Sequence, residues 1–521
     1  MADSLSTVVH PELFFGIAGP IGVDLDSLEK VLASELKSVG YESCVIKATE
    51  EMIKIDIGID YTEEKNFLND ILFKIYADKL CEKCDDRSAL AKIMVRAISD
   101  QRNHKTGKED VQAEKFAYIL RQLKRPEEVA ILRTLYGKQF VLISAYGSAE
   151  SRKSLLIGKL KNSMSTLLSV AELSAKVEHL MEIDQSEKSE YYGQNLADTF
   201  HLADVFVDGI SYIDMTKTLH RFIQALFGRN DIAPTRLEYG MYNAKAAALR
   251  SSDLSRQVGA AIFSAEGEVI SQGCNEVPRA LGGTYWDQEE PDFRDVRIGY
   301  DPNEELKRHI LRDLFERLQK GGYLSDKALL IGSPSDMVET LTRKATYRLG
   351  PMTASQTDGA LVGADIMDLT EYGRVVHAEM CAICDAARLG RSVRGGTLFC
   401  TTFPCHNCTK HILASGIAKV VYMEPYPKSK AKDLHRNEIV IESENTRLVS
   451  FIPFLGISPS RYGDIFQKGR RKNRGGRAET WYYVNPRPMI EVLSPAYIEP
   501  ESLVFATLIG SLSPASPLKS G

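Results

Sequence analysis

HAEMCAICDAARLG (377–390) and TLFCTTFPCHNCTKHILASGIAKVVYME (397–424) decide the fold. Their periodicity predicts a helix over 377–389, a strand over 397–401, a helix over 405–415 and a strand over 418–423. The last two strands, joined by a crossover helix, are expected to run parallel. Upstream, APTRLEYGMYNAKAAALRSS (233–252) reads as an alanine-rich helix. QVGAAIFS (257–264) and EVISQG (268–273) read as strands on either side of a turn at Glu266-Gly267. The stretch 287–370 is charged and irregular, with one helix expected at 303–320. Further out, LFFGIA (13–18) reads as a buried strand followed by a turn spaced by Gly16, Gly19 and Gly22. A helix over 24–40, capped by Asp24 or Asp26, and a strand at 43–47 complete the opening of a doubly wound α/β domain. Strands are also expected at 140–146 and 203–208, with helix across the charged stretch 65–130. The Ser/Pro-rich stretch 511–521 reads as disordered.

The 521 residues suggest two domains plus extensions. Expected boundaries are 1–235, 236–485 with an insertion at about 287–370, and a C-terminal extension at 486–521. Composition is that of a soluble globular chain, 44% apolar and 26% charged, and the net charge of −5 shows no basic excess of the kind that binding to nucleic acid requires. No apolar run reaches membrane-spanning length, and Met1 to Pro11 lacks the character of a secretory signal, so the expectation is a cytoplasmic protein with no membrane partner. The nine scattered cysteines then read as thiols or metal ligands.

The chemistry concentrates in His377-Ala378-Glu379 and Pro404-Cys405-His406-Asn407-Cys408, separated by 24 residues. This H-x-E…P-C-x-x-C pattern is the general signature of zinc deaminases. A catalytic zinc takes three protein ligands and leaves a position for water, which assigns one Zn²⁺ ion to His377, Cys405 and Cys408. Cys405 and Cys408, three apart, project from one helical turn, and Pro404 suits the start of that helix. Zinc would acidify its water for attack on C4 of cytosine, with Glu379 moving the protons. The alternative is a zinc knuckle without catalysis, which would need a fourth ligand such as His406 or His411. Cys381 and Cys384, and the lone Cys81/Cys84 pair, read as buried side chains before metal ligands.

The stretches HAEMCAI and FPCHNCTKHILASGIAKVVYM, with SSDLSRQVGAAIF (251–263) and GCNEVPRA (273–280), resemble the deoxycytidylate deaminase family. That resemblance implies a cytidine deaminase-like α/β/α sandwich over about 236–440, a homo-oligomer, and Asn275 near the sugar and phosphate. Ala378 and Pro404 join the substrate-binding set through the two motifs. GQNLADTFHLADVFVD (193–208), APTRLEYGMYNAKAAALRSSDLSRQVGAAI (233–262), EPYPKSKAKDLH (424–435) and PFLGISPSRY (453–462) are similar to the bacterial antiphage dCTP deaminases. This implies action on free dCTP or dCMP and depletion of the dCTP pool against phage. Phosphate requires cations or oriented N–H groups, so Arg256 and Lys428 are candidates, with Tyr426 against sugar or base. A polynucleotide deaminase is the rival within this chemistry, with KGRRKNRGGR (468–477) as its basic element.

The N-terminal turn compares with GxxxxGK[ST], but Val23 and Asp24 stand where lysine and the hydroxyl residue belong. The expected fold is therefore α/β with an N-terminal P-loop-like parallel sheet. Gly16, Gly19, Gly22 and Asp24 are candidates for holding a nucleotide through backbone N–H groups, with or without Mg²⁺. A domain sensing a regulatory nucleotide, an RNA or a protein, with the C-terminal half as its output, is the alternative of a different class. A purely structural scaffold is the third.

Overall fold

The computed structural model describes residues 8–58, 67–163, 169–185, 192–343, 358–425, 429–479, 481, 486–490, 492 and 495–512. Twelve strands follow along these residues: β1 Leu13–Ala18, β2 Glu42–Lys47, β3 Phe116–Leu123, β4 Phe140–Tyr146, β5 Val205–Asp208, β6 Gly259–Phe263, β7 Val269–Cys274, β8 Thr397–Thr402, β9 Lys419–Glu424, β10 Ile439–Ile441, β11 Val449–Pro453 and β12 Gly456–Ile457. They form two six-stranded sheets, each within one of two compact units: 1–242 with 454–521, and 243–453. The protein is α/β with two parallel-rich sheets.

In the first unit the order is β2-β3-β1-β4-β5-β12, parallel except where β12 runs against β5. β1 is wholly buried between β3 and β4, as expected of a central parallel strand. Helix Leu25–Ser38 turns Leu25, Leu28, Val31, Leu32 and Leu36 to the core, and Asp24 caps it by accepting the Ser27 N–H. The stretch 65–130 needs correction: it holds the central strand β3 as well as helices. FAYIL is an apolar run too short for its period to tell strand from helix, and pairing with β1 and β2 decides it.

A second correction concerns 454–485, which the sequence attached to the second domain. Residues from Phe454 group with the first unit, because β12 extends its sheet and Ile457 enters the same core as Val205. The expected extension at 486–521 contains helix Ile498–Leu512. Its Glu501 is buried beside Arg102, which also pairs with buried Glu12. Residues 513–521 lie outside the described residues.

In the second unit the order is β10-β11-β9-β8-β6-β7. β6 is antiparallel to β7 and β8, while β8 and β9 are parallel as expected. β10 and β11, unread in the sequence, prolong the parallel half. Gly273 faces Ala378 and Cys381, and Gly259 faces Ala244 and Ala248. Gly273 pairs with Ala260, the neighbour of Gly259, so the two glycines point to opposite sides. Helices Arg236–Ala248 and Ala378–Arg388 therefore cover opposite faces, which makes an α/β/α sandwich. The insertion carries helix Pro302–Lys320 together with short helices at Asp295–Ile298, Asp326–Leu329 and Pro334–Thr342. Among the described residues no helix is long and apolar enough to cross a membrane.

Candidate active site

Two helix N-termini meet above the second sheet. His377 is the N-cap of helix Ala378–Arg388, and Cys405 is the N-cap of helix His406–Ser415. Both caps have extended backbone, so each side chain projects from a helix end instead of lying along its flank. Cys408 sits one turn in, and its N–H donates to Cys405 Sγ at 3.4 Å. His377 Nδ1 lies 3.4 Å from Cys405 Sγ and 3.5 Å from Cys408 Sγ. Zinc bonds of about 2.3 Å to sulfur and 2.0–2.1 Å to nitrogen at a tetrahedral angle place N and S about 3.6 Å apart. The donor set fits a tetrahedral Zn²⁺ in both chemistry and spacing. Among the described residues it is the one His/Cys/Asp/Glu group of three that could hold a metal ion, which leaves Cys81/Cys84 and Cys381/Cys384 without such a cluster.

The thiol chemistry agrees. Hydrogen bonding from Cys408, then from His377, holds the Cys405 thiol well below the usual range despite its burial, while the same hydrogen bond, with burial, pushes the Cys408 thiol up. The positive end of the helix adds to this preference for thiolate. Glu379 is 3% exposed, and burial, then the Cys405 charge, raises its carboxyl above the ordinary range. A buried carboxyl raised in this way keeps its proton more readily than a free one, which suits a group that must both accept and return a proton.

His377, Glu379 and Cys405 line a cavity of ≈ 280 Å³. Of the other expected site residues, Arg256 and Asn275 line it too. Asn275 is buried and does positional work: its Oδ1 accepts the Ala378 N–H at 2.9 Å, and its Nδ2 donates to Asp253 at 2.9 Å and to the Arg256 carbonyl at 3.2 Å. It thus ties the end of β7 to the first turn of the helix behind His377. Arg256 donates to Thr402 Oγ1 at 3.1 Å and pairs with Glu424. Ala378 is wholly buried against Gly273, and the Pro404 carbonyl accepts from Ser429 at 2.8 Å. Tyr426 and Lys428 lie outside the described residues.

The sequence reading missed much of the cavity wall. Asp253, Thr402 and Phe403 belong to it, as do Asp295, Asp301, Asn303, Asp368 and Arg374, and His406, offered by the sequence only as an alternative fourth zinc ligand, lines it too. Asp253 and Phe403 stand inside motifs already singled out, and their proximity in sequence could have found them. The residues from the insertion carry no local signal.

The glycine turn of the first unit is filled from within. Gly22 takes φ +96°, and the Ile21 N–H donates to Asp184 at 2.7 Å. Lys124 grips the same carboxylate at 2.5 Å and the Gly19 carbonyl at 2.9 Å. The N–H groups of Val23, Asp24 and Leu25 also have backbone partners. A phosphate cradle at Gly16, Gly19, Gly22 and Asp24 finds no support in this arrangement, since an internal carboxylate already takes the loop amide and the nearby lysine. Gly16 instead lets Leu123 and Phe140 pack closely on β1.

Residues 234–424 match the family model described as the cytidine and deoxycytidylate deaminase zinc-binding region. A deoxycytidylate deaminase of Enterobacteria phage T2 is 48% identical over 64 residues, 12% of this chain and 34% of the relative. The chain thus spans about a third of that phage enzyme's length. ComE operon protein 2 of Bacillus subtilis (strain 168) is 29% identical over 159 residues, 27% of this chain and 84% of the relative. Among solved structures, a dCMP deaminase from cyanophage S-TIM5 in complex with dCMP and dUMP is 18% identical with a TM-score of 0.22, covering 43% of this chain and 98% of its own.

Proposed function

We propose that this chain, whose residues 234–424 form a deoxycytidylate deaminase family domain, hydrolyses the 4-amino group of a free cytosine deoxynucleotide, dCMP or dCTP. The carrying observation is the His377/Cys405/Cys408 donor set, with His377, Cys405 and buried Glu379 lining one cavity. His377, Cys405 and Cys408 would hold a zinc ion, which would supply Lewis acidity and make water easier to deprotonate. Glu379 would accept a proton from the attacking water and deliver it to N3 of the base as the C4–O bond forms. It then takes the remaining proton from the new C4 hydroxyl and passes it to the departing amino group, so that the C4–N4 bond breaks, ammonia leaves and C4 keeps the oxygen as the uracil carbonyl. Asn275 holds the helix that carries His377 and Glu379 in register. Arg256, Tyr426 and Lys428 are assigned to the nucleotide beyond the base.

The biological part of the proposal is depletion of the dCTP pool in bacterial defence against phage, supported by the resemblance of 193–208, 233–262, 424–435 and 453–462. Self-association and control of activity by a ligand of the first unit belong to the same proposal. The test is conversion of dCTP, dCMP, CTP, deoxycytidine and a cytosine oligonucleotide by zinc-loaded protein, with Glu379→Ala as control. Conversion of dCMP or dCTP by the wild type alone supports the assignment. Conversion of the oligonucleotide alone overturns it.

A further inference from the structure

The cavity is electrically uneven, and the insertion makes it so. Where β8 and β9 end, its lining is Arg256, Thr402, Phe403 and His406. His406 Nδ1 has no partner among the described residues. The remaining lining includes Asp253, Asp295, Asp301 and Asp368, the last three from the insertion. Asp295 is 6% exposed, and its carboxyl is raised, first by burial, with Asp301, Asp253 and Glu276 adding to the shift. The cation on this side, Arg374, is answered by Asp295 at 3.0 Å and by the Phe293 carbonyl at 2.9 Å. Asn303 holds the wall by donating to the Leu369 carbonyl and accepting the Tyr372 N–H. The acidic side is thus a built surface of the pocket, joined to the segment that leads into His377.

We infer that Asp295 and Asp301 are specificity-determining residues that admit a free 3′-hydroxyl and reject a phosphate on that oxygen, which restricts the enzyme to mononucleotides. The inference rests on the cytosine-nucleotide assignment above. With C4 held at the metal donors and Glu379, the sugar and phosphates must fill the rest of the cavity. Arg256, shared between Thr402 and Glu424, is the cation where β8 and β9 end, and a 5′-phosphate turned to it and away from the carboxylates leaves the sugar's hydroxyl edge toward the aspartates. Carboxylates accept hydrogen bonds from hydroxyl groups. The same carboxylates oppose a phosphodiester, and that repulsion discriminates where attraction alone would not. A polynucleotide would have to lead its 3′ phosphate past this wall.

The test compares the 5′-nucleotides dCMP and dCTP, deoxycytidine 3′,5′-bisphosphate and the dinucleotide d(CpA) on wild type, D295N, D301N and the double variant. Asparagine keeps the shape and the Arg374 contact at 295, and is an equally good helix cap at 301. Expected is a wild type that favours dCMP over the bisphosphate by about a hundredfold in kcat/KM, a preference that falls about tenfold in the double variant. Wild type acting equally on both, or a preference untouched by the substitutions in folded, zinc-loaded protein, overturns the inference and leaves the deaminase assignment standing. A wild type inactive on dCMP and dCTP overturns that assignment and this inference with it.

Discussion

Gly273→Ala tests whether helix Ala378–Arg388 must lie as close to β7 as it does. A Cβ at 273 would stand 2.3 Å from the Ala378 carbonyl oxygen, 2.5 Å from the Ala382 nitrogen and 2.9 Å from Cys381 Cβ. Two of these are backbone atoms of the helix, so no rotamer change relieves the clash. The helix must withdraw by about 1 Å, a displacement that can cost about a hundredfold in rate when it falls on catalytic groups. It carries His377 away from Cys405 and Cys408, which ride on a different helix, and stretches the bond from Ala378 to Asn275. Turnover of dCMP is expected to fall about a hundredfold. Zinc affinity, read by chelator competition, should fall with it, and stability by about 1–3 kcal/mol. Gly158→Ala, where a Cβ meets nothing within 4 Å, is the matched control and should change neither zinc affinity nor turnover. Wild-type zinc affinity and turnover in Gly273→Ala would refute the reasoning, for they would mean the helix can shift without disturbing the donors.

Glu379→Gln should keep zinc and fold but lose at least about 10²–10⁴ in turnover, since proton transfer alone is worth that much; metal analysis and a dCMP assay on one preparation check it. Zinc removal by a chelator should lower the melting temperature, because a metal bound by the native state alone stabilises it by mass action, and added zinc should restore it in calorimetry. Arg102→Met leaves buried Glu12 and Glu501 without their cation and should cost about 3–5 kcal/mol in denaturant unfolding. A loss under 1 kcal/mol would show that Tyr118, Tyr136 and Tyr497, which donate to those carboxylates, suffice to hold them.

Those tyrosine contacts join residues hundreds of positions apart, and such contacts separate what was legible in the sequence from what was not. The metal donors were legible because their geometry is local: two caps and one residue a turn further on, on helices joined by a short strand. The helix–strand–helix–strand unit from 377 to 424, the β6/β7 pair and the β1 turn followed for the same reason, each carrying its own period and breakers. β3 was lost because its apolar run is short and its neighbours in the sheet lie far along the chain. Residues 454–485 were placed with the second domain because the two-residue strand β12, whose pairing with β5 leaves no compositional signal, groups with the first unit.

At the site, the sequence by itself, through residue type and helical spacing, pointed to His377, Cys405 and Cys408, a group that could hold a metal ion, and to Glu379 as the carboxyl proposed to move protons. It also raised the glycine turn as a phosphate cradle, but the Asp184 carboxylate on the Ile21 amide comes from 163 residues away and no motif records it. The role of Asn275 as a tie, and the acidic wall that the insertion brings to the cavity, were likewise decided by tertiary structure. A hydrogen bond or a field inside a pocket depends on which distant groups share the space, and only the folded chain brings them together.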